Sequence, residues 1–209
     1  MTTAMIFVQD HNFSRIKCRA LLDTCAIANF ISVNFAKRLK LPVSPCAVSV
    51  GAINSMSTVT KGVVRIIIQA RHDEFTKELT CLIVPTISDL VPSEVLSRKG
   101  VKISENINLA DPEFHLPRPV DLLIGSGTTL SLFSPGQVNL SSRDRDLYLQ
   151  NTRLGWVVAG GLTTGSNYTI SHLCTLTDLE TQIARFWTAE EIPNDSSDSV
   201  ARHDCEAHV

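Results

Sequence analysis

Four absences narrow the sequence before any motif is read. Strong charge is missing: 19 Lys and Arg against 21 Asp and Glu leave a net charge of −2, which gives no electrostatic reason to expect nucleic acid or an anionic membrane surface as a partner. No apolar run approaches the ~20 residues of a transmembrane helix. The opening stretch Met1-Thr2-Thr3-Ala4-Met5-Ile6-Phe7-Val8 has no basic region and too short an apolar run for a signal peptide. The expected location is intracellular and cytoplasmic, which makes the sequons at Asn12, Asn139, Asn167 and Asn194 chance matches. Cys18, Cys25, Cys46, Cys81, Cys174 and Cys205 include no Cys-x-x-Cys pair, which argues for reduced thiols and against a disulfide framework or a zinc site. The polar-tail set His203, Cys205 and His208 falls short of the four ligands usual for structural zinc. Gly125-Ser126-Gly127 lacks the third glycine, the βαβ unit and the downstream acid of a dinucleotide loop. Neither metal nor cofactor is expected.

What the chain does contain is enough for one sizeable domain and a tail: 209 residues, 44% of them hydrophobic. Its most informative segment is Ala20-Leu21-Leu22-Asp23-Thr24-Cys25-Ala26. Alternation in Arg15-Ile16-Lys17-Cys18-Arg19-Ala20-Leu21 puts Ile16, Cys18 and Ala20 on one face of a half-buried strand. That strand delivers Asp23 into a turn of small residues, where the Thr24 hydroxyl can brace the loop. Hydrolysis by carboxylates requires two of them close enough to share a proton, one acting as acid and one as base around a water. The sequence holds one such loop. A second carboxylate would have to come from a second copy of the chain across a twofold axis.

Further along, residues 32 to 40 read as a short amphipathic helix with Ser32 as N-cap, stopped by Pro42. Residues 43 to 68 read as strand, polar turn, strand, with the turn at Gly51-Ala52-Ile53-Asn54-Ser55-Met56-Ser57, and 75 to 84 as a further strand. Pro92, Pro112, Pro117 and Pro119 mark a loop-rich insertion over 86 to 119, with one helical turn expected near 93 to 98. Val120 to Ile124 reads as a buried strand ending at Gly125, and 147 to 159 as the last strands. A helix is expected over 178 to 191, then a disordered polar tail from 193 to 209. Short alternating strands without repeats predict a mostly antiparallel β-barrel or sandwich.

The run Leu21-Leu22-Asp23-Thr24-Cys25-Ala26, then Asn29-Phe30-Ile31-Ser32 and Phe35-Ala36-Lys37-Arg38-Leu39, resembles the active-site segment of retropepsins. Three later stretches narrow the match: Leu109-Ala110-Asp111-Pro112, then Pro119-Val120-Asp121-Leu122-Leu123-Ile124-Gly125-Ser126, then Leu149-Gln150-Asn151-Thr152-Arg153-Leu154-Gly155-Trp156-Val157-Val158-Ala159-Gly160. Together they resemble the aspartic-protease region of BEL/Pao-type LTR retrotransposon polyproteins, over about residues 15 to 192.

The resemblance implies a mostly β chain with a retropepsin-like closed β-barrel (acid protease fold), short helices and a C-terminal helix. It also implies a protease domain over 1–165, a linker and helix over 166–192 and a tail over 193–209. Asp23 would be the catalytic carboxylate of a homodimer that hydrolyses a peptide or polyprotein substrate. Thr24, Cys25 and Ala26 would form its loop. Gly51, Ala52, Ile53, Asn54 and Ser55 would form a substrate-covering flap, with Leu123, Ile124 and Gly125 the strand that supports the loop. Two positions depart from the pattern: Cys25 stands where the family has glycine, and Gly127 where the family usually has Asp. They leave open a second reading, a noncatalytic dimerisation or peptide-binding domain from a decayed element. A thiol mechanism at Cys25 would need a partner His, and no His motif points there.

Overall fold

Apolar residues at every second position decide which way each strand faces. In the strand Val63–Gln69, Val64, Ile66 and Ile68 are buried, while Arg65 and Ile67 between them are exposed. The computed structural model describes residues 2–47, 49–51, 57–98, 101–141 and 145–162, all within a single folded unit. In chain order the elements are β1 (Thr3–Gln9), β2 (Arg15–Leu22), β3 (Asn29–Ser32), α1 (Val33–Leu39), β4 (Val43–Ser44), β5 (Ser49–Gly51), β6 (Ser57–Val59), β7 (Val63–Gln69), β8 (Thr76–Val84), β9 (Leu122–Ile124), α2 (Ser126–Leu132), β10 (Phe133–Asn139), β11 (Arg145–Thr152) and β12 (Val157–Leu162).

Strands β1-β2-β9-β3-β8-β7 lie side by side, and β7 pairs back onto β1 through Phe7↔Gln69 and Val8↔Ile68. The fold is therefore mostly β, with a closed barrel of six strands and few short helices. Closure leaves those strands without a free edge over the paired stretch. Inward side chains from every barrel strand, among them Ile6, Ala20, Ile31, Ile66, Leu79 and Leu122, form the core, joined by Phe35 and Leu39 of α1. Ser32 caps α1 as the sequence predicts, its Oγ accepting the Phe35 N–H at 3.2 Å. The helix stops at Leu39, with Lys40 in a left-handed conformation (φ 52°). β10, β11 and β12 form a separate antiparallel sheet, whose buried Leu147, Leu149 and Val158 pack with Phe114 of the insertion.

The insertion lacks the helical turn expected near 93 to 98, and its hydrogen bonds explain why. Val91 and Arg118 exchange backbone bonds at 2.9 and 3.3 Å, and the Leu96 N–H donates to His115 O at 2.9 Å. These backbone groups pair across the insertion instead of within a local helix. The expected hairpin over 43 to 68 is split, with β4 on β7 and β5 on β6 in a sheet of its own. The expected helix over 178 to 191 and the tail lie outside the described residues.

One buried charge holds the insertion to the barrel. Arg19 is on β2 yet only 3% exposed. Its Nε donates to Asp111 Oδ2 at 2.7 Å. Other guanidinium nitrogens donate to the carbonyls of Val91, Leu116 and Glu113. Asp111 also accepts the Thr3 hydroxyl at 2.6 Å and the Glu113 N–H at 2.9 Å. A buried ion pair offsets its desolvation only when its remaining donors and acceptors are satisfied, as they are here.

Asp111→Ala strands the guanidinium, and the expected loss is about 3 to 5 kcal/mol of stability. The exposed pair Arg118–Glu113, with side chains 52% and 43% exposed, is the comparison: Glu113→Ala should cost less than about 1 kcal/mol. Urea denaturation of both variants checks the contrast, and equal losses would contradict the anchoring role of Arg19.

Candidate active site

Asp23 follows directly after β2, and its position is set by a strand that arrives 99 residues later in the chain. β9 inserts between β2 and β3, parallel to β2 (Ala20↔Leu122, Leu21↔Leu123, Leu22↔Ile124) and antiparallel to β3 (Phe30↔Leu123, Ile31↔Leu122). The connection over residues 23 to 28 must therefore arch over the end of β9. Three consecutive residues stitch it down. Ile124 O accepts the Asp23 N–H at 2.9 Å, the Gly125 N–H donates to Asn29 Oδ1 at 2.9 Å, and the Ser126 N–H donates to Ala26 O at 2.7 Å. Ile124 O takes a second bond, from the buried Thr129 hydroxyl of α2 at 2.7 Å. Asn29 Nδ2 reaches on to Thr80 O of β8 at 3.1 Å.

Gly125 is required by proximity. Its φ is an ordinary −74°, but a Cβ there would sit 2.4 Å from Ala28 O and 2.8 Å from Ala26 O. Only a residue without a side chain lets the arch close this tightly. Gly127, one residue into α2, has nothing within 4 Å of a Cβ.

Within the arch, the Asp23 carboxylate is half-buried and its Oδ1 accepts the Cys25 N–H at 2.8 Å. This self-bracing turn uses the aspartate where the sequence suggests Thr24. The Thr24 hydroxyl is exposed and makes no hydrogen bond among the described residues. Cys25 is exposed, and its backbone lies outside the left-handed region, so the turn does not need glycine for its φ. Ile27, in the same arch, is 96% exposed, an apolar side chain left in water. No second carboxylate hydrogen-bonds to Asp23 among the described residues.

The structure brings Leu123, Ile124 and Gly125 together with the Asp23 loop, Ile124 and Gly125 buried and Leu123 half-buried. Gly51 ends β5, opposite Ser57. Ala52, Ile53, Asn54 and Ser55 lie outside the described residues. The sequence gives little signal for Asn29 and Ser126, whose partners are remote in the chain, while Thr129 bonds Ile124 O only five residues before it. Two surface clefts of about 230 and 260 Å³ are lined by other segments, one around Arg153 and Trp156 and one around Phe13 and Arg65. Neither includes a residue of the 23 to 28 arch.

Burial raises the thiol pKa of Cys18, and Asp121 adds to the effect. Burial likewise pushes Cys81 up to about 12. Both core thiols are therefore protonated and unreactive at neutral pH. Burial also raises the Asp121 carboxyl, partly offset by a backbone hydrogen bond and by Arg38. Among the described residues no group of three His, Cys, Asp or Glu is placed to hold a metal ion, and no helix is long and apolar enough to cross a membrane. Compared with known proteins, the chain matches no family model and no curated sequence.

Two experiments with three substitutions test this arrangement. Gly125→Ala should destabilise by about 1 to 3 kcal/mol through overpacking, whereas Gly127→Ala should stabilise α2 by up to about 1 kcal/mol. Opposite shifts in thermal melting would support the arch, and a neutral Gly125→Ala would contradict it. The second is Asp121→Asn. A carboxyl whose folded pKa is raised holds its proton in the native state after the unfolded chain has released it, so stability falls as pH rises through that interval. Asp121→Asn should thus be more stable than wild type at pH 7 and lose that advantage below the usual carboxylate pKa. Melts at the two pH values check it, and a destabilised variant at pH 7 would contradict it.

Proposed function

We propose that the chain is an aspartic-type endopeptidase, the retropepsin-like protease of a BEL/Pao-type LTR retrotransposon polyprotein, acting as a homodimer. The observation that carries this reading is a single half-buried aspartate at a strand end, held in an arch stitched along an inserted strand that ends in Ile124-Gly125. One chain supplies one carboxylate, and the chemistry needs two. The second copy would bring its own Asp23 across a twofold axis. One carboxylate, ionised, then takes a proton from the water while the other, protonated, donates to the scissile carbonyl, and a tetrahedral diol forms with no covalent enzyme intermediate. The exposed Ile27 suits a partner chain or an apolar substrate residue. Thr24 would brace the two loops across the axis, and the hairpin tip around Gly51 to Ser55 would close over the peptide.

The noncatalytic reading rests on Cys25. A thiol side chain at the loop adds bulk where the family has none, although its backbone is unstrained, and a small displacement of a catalytic group costs on the order of 100-fold in rate. Wild-type activity is expected to be weak.

Purified full-length chain, incubated with polyprotein-derived peptides at mildly acidic pH with and without pepstatin, tests the proposal. Asp23→Asn should lower cleavage by roughly 1,000-fold, and Cys25→Gly should raise it by up to about 100-fold. Cleavage that survives Asp23→Asn and is lost in Cys25→Ser would overturn the aspartic mechanism. No cleavage by either the wild type or Cys25→Gly would favour the noncatalytic domain.

A further inference from the structure

We infer that Asn29 is a positioning residue for Asp23, a role that rests on the proposed hydrolytic use of that carboxylate. The arch begins at Asp23 and runs into Asn29, the first residue of β3, and both points are tied to the same short stretch of chain. At one end the Asp23 N–H donates to Ile124 O at 2.9 Å. At the other, Asn29 Oδ1 accepts the N–H of the next residue, Gly125, at 2.9 Å. The Asn29 amide then donates to Thr80 O at 3.1 Å, so one side chain joins β3, β8 and the end of β9.

A planar amide suits this place because it accepts on one atom and donates on the other. A carboxylate could hold Gly125 but would face Thr80 O with a second acceptor. An aliphatic side chain would leave the Gly125 N–H without its partner, and an unpaired donor in a closely packed site is costly. Gly125 has little room to shift toward the loop, because the carbonyls of Ala26 and Ala28 occupy the space a Cβ would take there. A shift of Gly125 is therefore passed to Ile124, whose carbonyl fixes the Asp23 backbone. Asn29 acts on the carboxylate through this one-residue link without needing to touch it.

The test uses the full-length chain, with two-dimensional amide spectra and peptide cleavage measured on wild type, Asn29→Ala and Asn29→Asp. In Asn29→Ala the Gly125 amide proton should move upfield and the Asp23 amide should shift with it. Where cleavage is measurable, kcat should fall about 10-fold, the equivalent of one hydrogen bond, with KM little changed. Asn29→Asp keeps the acceptor for Gly125, so both amides and kcat should return toward wild type even though the loss of the Thr80 bond lowers its melting temperature. Leu149→Ala, a destabilising change in β11 away from the arch, should lower the melting temperature without moving the Asp23 amide. If Asn29→Ala does not fold, Asn29→Ser is the smaller change that carries the same test. An Asp23 amide and kcat that stay at wild-type values in Asn29→Ala, while its melting temperature drops, would overturn the positioning role and leave Asn29 merely structural. The spectra do not depend on catalysis. An Asp23 amide that still moves in Asn29→Ala when both the wild type and Cys25→Gly are inactive would sink the protease reading and leave the link from Asn29 to Asp23 intact.

Discussion

The insertion of β9 between β2 and β3 is the constraint on which the rest of the structure depends. Without it β2 and β3 share no partner, the barrel does not close, and the six residues joining them have nothing to arch over. With it, Leu122 to Ile124 complete the ladder, and Ile124 to Ser126, overlapping it at Ile124, supply the bonds that fix the Asp23 loop. Barrel closure and the geometry of the site are thus one event. It is also a nonlocal one, since β2 and β9 lie about a hundred residues apart in the chain and meet only after a large loop has closed.

That distance explains the investment in the Arg19 network. The segment leading from β8 to β9 carries little regular structure, and its own backbone bonds are few and scattered. Arg19, on the strand that will receive β9, collects three of that segment's carbonyls together with Asp111. Ala110 adds a second tie, accepting the Met5 N–H of β1 and donating to Trp156 O, both at 2.8 Å. The irregular segment is thereby fixed to β1, β2 and the three-stranded sheet, and β9 enters the barrel from a defined place. The Asp121 backbone continues the alignment, donating to Arg19 O and accepting the Ser32 N–H, both at 3.0 Å.

Local pattern made much of this legible in the sequence. It located β2 and β8 to within a residue or so, the single strand expected after the polar turn is divided into β6 and β7, the Ser32 cap fixed the start of α1, and the apolar run before Gly125 marked β9. What escaped were features decided by remote partners. Arg19 alternates like a surface residue, and only the insertion folding over it makes it buried. The expected turn near 93 to 98 gave way to pairing with residues 115 to 118. Helix α2 carries Gly127 and Thr129, poor helix formers, and is placed by the arch in front of it. At the candidate site, Asp23 and the Leu123-Ile124-Gly125 strand were visible, while Asn29 and Ser126 act through bonds to residues distant in sequence. Self-bracing by Asp23 replaced the expected brace from Thr24.

A single aspartate held this firmly, with an exposed isoleucine in the same arch and an exposed Thr24 hydroxyl free of any partner in the described chain, is what the proposed function treats as half a site. The proposal that a second copy completes it makes a demand that no one-chain mechanism makes: each active centre must contain two Asp23 side chains. The most direct measurement is to co-refold wild-type chain with a ninefold excess of Asp23→Asn chain and follow peptide cleavage per wild-type chain. Random pairing leaves about a tenth of the wild-type chains with a wild-type partner, so the account predicts that activity per wild-type chain falls to about a tenth of its undiluted value. Activity per wild-type chain that is unchanged by the excess would contradict the shared site.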